Sequence, residues 1–142
     1  MSVVNVEQIM SRDVHAVASS VDAEAAFQHM RRAGIRHLVV LGEHDKIVGV
    51  ISVRDVAGQP ASSLARRSVG DLLQRAVIVA SPDMDVAHAA RLMHDHVIGS
   101  LPVVADGELV GILTTSDILA MVAGIAKPPP IEGIARGGRV LR

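Results

Sequence analysis

Apolar positions fall into two long blocks with the same internal order. In the first, Val14–Val17 reads as a short apolar strand. Asp22 then offers an N-cap, and Ala23, Ala26, Phe27 and Met30 follow at helical spacing as far as Gly34, a fit C-terminal stop. The runs "RHLVVL" and "KIVGVIS" predict adjacent strands around the polar turn Gly42–Lys46, and a short helix begins at Ser52. The second block predicts the same series: a strand at Val77–Ala80, a helix opened by Asp85 with Val86, Ala89, Ala90 and Met93 on one face, and a hairpin of "SLPVVA" and "LVGILT". Asp106–Gly107 suits the tight turn of that hairpin, and the next helix starts at Thr114. Both methionines sit on apolar helix faces and belong to the core rather than to a cofactor site.

The two blocks superpose as sequence. At an offset of 63, Val14 matches Val77, Asp22 matches Asp85, Met30 matches Met93, Leu38 matches Leu101 and Val40 matches Val103. One residue fewer in the second turn makes the offset 62, which pairs Gly49 with Gly111 and Asp55 with Asp117. The repeat spans residues 6–57 and 69–120, each copy in the order β-α-β-β-α. Two copies predict a pseudo-two-fold pair, not a solenoid. The expected organisation is a first motif over 1–57, a Gly/Pro/Ser linker over 58–68, a second motif over 69–124 and a flexible Pro/Gly/Arg tail over 125–142.

Composition narrows the function classes. Of 142 residues, 49% are apolar, and the 12 glycines bring the share to about 57%, above the roughly 45–50% usual with glycine included. Such an excess points to a further buried surface, most simply a homodimer interface. No uninterrupted apolar run reaches membrane-spanning length and no signal peptide is visible at the start, so a cytoplasmic protein with no membrane partner is expected. With no cysteine, disulfides, zinc-thiolate sites and thiol nucleophiles are excluded. A net charge of −1 and a lone aromatic, Phe27, argue against nucleic-acid binding. His94 and His96 lie on different faces of their helix with no third ligand in evidence, so no metal site is expected there. No Ser/His/Asp arrangement or phosphate-binding glycine loop appears, and the chain reads as a non-enzyme with no required cofactor.

The chemistry lies in two heptads, Gly49-Val-Ile-Ser-Val-Arg-Asp55 and Gly111-Ile-Leu-Thr-Thr-Ser-Asp117. Ser52-x-x-Asp55 and Thr114-x-x-Asp117 each fit a capping box with Asp in the Glu position. They equally fit a nucleotide site, because a carboxylate can accept from two vicinal ribose hydroxyls and a helix-start hydroxyl lies where anions are stabilised.

The duplicated heptads, with "LPVV" at 101–104 and the helices opened by Asp22 and Asp85, resemble the CBS-domain family over about 115 residues. The resemblance implies an α/β fold in which two β-α-β-β-α motifs pack as a pseudo-two-fold pair. It also implies a regulatory module that binds AMP, ADP, ATP or S-adenosylmethionine in clefts between the motifs. On that pattern Asp55 and Asp117 accept from ribose, while Ser52, Thr114 and Ser116 meet phosphate. Val14, Ala16 and Leu38 in copy one, with Val77, Val79, Leu101 and Pro102 in copy two, hold adenine. Arg36, His37 and Arg54 add basic groups that only copy one possesses. The chain departs from many nucleotide-binding relatives at Ala16 and Val79, where those carry threonine. Three readings follow: a homodimeric sensor that passes a ligand-driven change to a regulated partner, a ligand-free scaffold, and a nucleic-acid contact through Arg66, Arg67 and the tail.

Overall fold

The computed structural model describes residues 3–64, 66–73, 76–125 and 139–142. The chain divides into two units that do not follow the repeat boundaries: residues 3–14 join 78–125, and residues 15–77 join 139–142. Each unit therefore combines the helix and hairpin of one repeat with the segment that leads into the other.

In the second unit, β1 (His15–Ala18), β2 (His37–Leu41) and β3 (Ile47–Ser52) form a sheet with α2 (Ala23–Ala33) and α3 (Val53–Ala57), while α1 (Val6–Ile9) belongs to the first unit. The sheet order is β3-β2-β1-β6, where β6 is Arg139–Leu141. β1 runs parallel to both β2 and β6, and β2 pairs antiparallel with β3. Gly34 ends α2 in the left-handed region at φ 67°, where glycine costs least. Val17, Ala23, Ala26, Met30, Leu38 and Ile51 are buried together, which confirms the apolar spacing of the first block.

In the first unit, α5 (Val86–His96) packs with the hairpin β4 (Ser100–Ala105) and β5 (Glu108–Thr114), and α6 (Thr115–Ala123) follows; α4 (Ala61–Leu64) lies in the other unit. Asp106 and Gly107 both take positive φ in the hairpin turn, as that dipeptide allows. Met93, Leu101, Val103 and Leu113 lie in the core of this unit.

Three expectations change. The predicted strand Val77–Ala80 contracts to a single parallel bridge, Ala80 with Val103. Ala80 N–H donates to Pro102 O, and Val104 N–H donates to Ala80 O, both at 2.9 Å. The next rung of a parallel ladder would require the N–H of residue 102 to donate to Ile78, and proline has none. Copy one has Val39 there, and its ladder continues through Ala16–Val39. The linker holds α4, and at the tail's end Arg139–Leu141 form a strand, with Arg142 Nη2 donating to Asp45 Oδ1 at 3.0 Å. Residues 126–138 of the expected flexible tail lie outside the described residues. No described helix is long and apolar enough to cross a membrane.

The lead segments are tied in by matching hydrogen bonds. In the first unit Val6 N–H donates to Met84 O, Glu7 N–H to Pro82 O and Val86 N–H to Val4 O. In the second, Val69 N–H donates to Val21 O, Gly70 N–H to Ser19 O and Ala23 N–H to Arg67 O. These are the same three bonds at the repeat offset. Gly111 and Gly49, the heptad glycines, lie under these segments. A Cβ on Gly111 would lie 2.6 Å from the Met10 sulfur and 2.9 Å from Ser11 O; on Gly49 its three nearest neighbours would be Leu73 side-chain carbons, the closest at 2.7 Å.

Ser11 O is fixed because it accepts from Ile112 N–H, whereas the Leu73 side chain can turn away. Gly111→Ala is therefore expected to cost about 1–3 kcal/mol as overpacking, and Gly49→Ala clearly less. Urea unfolding followed by circular dichroism compares the two; equal costs would refute the steric assignment.

Candidate functional site

In the second unit the heptad closes β3 and opens α3. Ser52 is the N-cap, and Asp55 at the third helical position completes a reciprocal capping box. Asp55 Oδ2 accepts from Ser52 N–H at 2.8 Å and from Ser52 Oγ at 3.0 Å. Among the described residues its Oδ1 accepts no hydrogen bond, and Asp55 is exposed. Arg36 precedes β2 and His37 begins it, at the same end of the hairpin: His37 pairs with Ser52, and Val53 N–H donates to Arg36 O at 2.9 Å. Arg36 and Arg54 are exposed and His37 is half-buried. One end of one hairpin thus gathers Arg36, His37, Ser52, Arg54 and Asp55, with buried Leu38 one residue further along β2. Ala16, also buried, lies on the adjacent β1.

The first unit reproduces this backbone. Ser100 pairs with Thr114, and Thr115 N–H donates to Gly99 O. Asp117 Oδ2 accepts from Thr114 N–H at 2.8 Å and from Thr114 Oγ1 at 3.1 Å. Its environment differs, however. Asp117 is only 6% exposed, and Oδ1 accepts from Ser11 Oγ at 3.1 Å. Both oxygens are engaged within the chain, and no basic side chain stands at the positions of Arg36 and His37. Leu101 and Pro102 are buried, Thr114 is half-buried and Ser116 exposed.

The cavities of the first unit add little recognition chemistry. A depression of about 230 Å³ touches Asp117 and is otherwise lined by Gln8, Ile9, Ala120, Met121 and Ile125. A larger one of about 300 Å³ is lined by Val3, Val4, Val86 and other apolar residues; its single carboxylate, Asp85, already accepts from Ala87 N–H as the cap of α5.

The remaining candidates scatter. Val14 is buried in the first unit; Val77 is half-buried in the second, and Val79 is 41% exposed beside the shortened strand. Arg67 is held in place, donating to Gln59 Oε1 and to Asp71 O, while Arg66 is exposed. His94 contacts the neighbouring carboxylate of Asp95 at 3.2 Å on the exposed face of α5, and no group of three or more metal-ligating side chains occurs among the described residues. Sequence reasoning missed Ser11, whose role depends on the exchange of lead segments. The warning signal was a glycine inside each predicted strand, a mark of close backbone approach.

Comparison with known proteins places this geometry. The family model for the CBS domain matches residues 6–61 and 69–124. A homoserine O-acetyltransferase from Methanohalophilus mahii is 35% identical over 118 residues, which are 82% of this chain but only 24% of that enzyme's length. A solved CBS domain pair in complex with 5′-methylthioadenosine and S-adenosyl-L-methionine is 30% identical, with a TM-score of 0.77 covering 88% of this chain and all of that one. The structure of CBSX2 in complex with AMP is 27% identical, with a TM-score of 0.72 over 87% of this chain and 98% of that one. Two matched motifs, the repeated heptads and the fold shared with solved pairs make this chain a member of the CBS domain family, with its two motifs forming a tandem pair.

Proposed function

We propose that the chain is a regulatory module that binds an adenosine-containing ligand at the Asp55 end of the β2–β3 hairpin and passes the change through a homodimer to a regulated partner. The observation that carries this reading is the exposed carboxylate of Asp55. Its Oδ2 is anchored by Ser52, and its Oδ1 accepts from no donor among the described residues. A carboxylate oriented by its own cap loses little freedom when it accepts from two vicinal hydroxyls. Arg36 and Arg54 on the same hairpin end supply the charge that a phosphate prefers. The adenosine ligands in the two solved pairs support the ligand class.

Asp117 favours a second, structural role for the other heptad. Buried and saturated by Ser11 and Thr114, it ties the lead segment to α6. The scaffold reading, applied to the whole chain, would require Asp55 to be a cap and nothing more. Exposed apolar side chains at Leu119, Val122 and Ile125, on and just beyond α6, support the homodimer.

Calorimetric titration with AMP, ADP, ATP and S-adenosylmethionine tests the sensor directly. Saturable heat is expected from at least one ligand, at least tenfold weaker in Asp55→Asn with its melting temperature near that of the parent. Asp117→Ala is expected to lose about 1–3 kcal/mol of stability, since it leaves the half-buried Ser11 hydroxyl without this acceptor and removes a cap. Heat from no ligand would leave the scaffold reading standing. For the dimer, Val122→Glu is expected to halve the mass measured by light scattering on size exclusion; an unchanged mass would move the interface away from α6.

A further inference from the structure

The outer edge of β1 in the second unit is closed by the last residues of the chain, as β6. Ser19 N–H donates to Leu41 O at 2.8 Å, so β1 residues of the same parity turn their main-chain groups towards β2. Alternation along a parallel strand then turns both the N–H and the C=O of Ala16 the other way, towards β6. With Ala16 in register with Val140, the parallel pattern has Ala16 N–H donating to Arg139 O and Leu141 N–H donating to Ala16 O. Leu141 also packs against the core of this unit, and the exposed Arg142–Asp45 pair at 3.0 Å adds a contact that salt screens. Only three residues long and paired on one side, β6 is the least firmly held strand of its sheet.

The place of that edge bears on the site at Asp55. Ala16 lies two strands from Ser52 and two rungs in from it, about 10 Å across the sheet and about 7 Å along it. A base joined to a ribose at Asp55 reaches across a gap of that order. Adenine presents an amino donor beside a ring-nitrogen acceptor, the complement of a residue whose C=O and N–H point the same way. Copy two keeps the corresponding edge open: Val79, which matches Ala16 at the repeat offset, pairs with no strand among the described residues.

We propose that β6 is an intrasteric strap, which occupies the main-chain edge of Ala16 that an adenine base would use and is released when the ligand binds. The inference rests on the reading of the Asp55 end as an adenosine site. Apparent affinity is then lowered by the fraction of chains whose edge is open, and release of residues 139–142 carries the signal outwards.

Calorimetric titration of the full chain and of its Leu141→Pro variant with AMP and ATP tests the strap. Proline removes the N–H that serves Ala16 O, so Leu141→Pro is expected to bind at least fivefold tighter, and Arg142→Gln tighter by a smaller factor. Hydrogen exchange on the parent needs no variant: saturating AMP should speed exchange of the Leu141 amide while β2 and β3 stay protected. Unchanged or weaker binding in folded Leu141→Pro, or slower exchange at Leu141 with nucleotide, would overturn the strap and leave the Asp55 site standing. Absence of heat from the parent and from both variants would overturn that site and the strap together.

Discussion

The backbone bonds between each lead segment and the opposite repeat constrain the rest of the structure. Val6–Met84, Glu7–Pro82 and Val86–Val4 recur as Val69–Val21, Gly70–Ser19 and Ala23–Arg67. These N–H and C=O groups pair at the entrances of α5 and α2, where a helix would otherwise leave donors unsatisfied. Because the lead segment then crosses the hairpin, the strand beneath must carry glycine, and the residue closing the strand is held at the start of the next helix. The heptad is therefore a packing signature before it is a recognition signature. Gly111 answers to Met10 and Ser11, and Gly49 to Leu73.

Much of this was legible because the repeat told the same story twice. The periodic faces of α2 and α5, both hairpins and both capping boxes follow from local rules about apolar spacing, turn residues and helix ends. The segments that sequence alone misjudged depend on distant partners. Val77–Ala80 has the composition of a strand, yet its length is decided by a proline on the neighbouring strand. Arg139–Leu141, which follow a glycine- and proline-rich sequence, pair with the edge that β1 offers. The capping and ligand readings of the heptad could not be separated by spacing, since both demand the same residues; burial distinguishes the two copies, with Asp55 exposed and Asp117 enclosed.

Duplication has thus left two copies of one frame with different freedom to change. A carboxylate that holds Ser11 is tied to the stability of its unit, and substituting it disturbs the fold. A carboxylate held only by its own cap can be altered with little structural consequence, as can the neighbouring Arg36 and Arg54. The same contrast runs through the first strands: Val39 supports a full parallel ladder, while Pro102 permits a single bridge and leaves Val79 partly open to solvent.

The exchange of lead segments also bears on the order in which the chain can acquire its structure during synthesis. Ser11 pairs with Ile112, more than half the chain away. Residues 3–14 therefore leave the ribosome long before their partners exist, while residues 15–73 emerge with the lead segment of the second repeat already in line behind them. Long-range pairing must meet its loop-closure entropy before any contact offsets it. The β1–β3 layer of the second unit can therefore form before residues 3–14 find their partners, and β6 can join it only later. A cut at the linker would leave each lead segment on the piece opposite to the one it packs with.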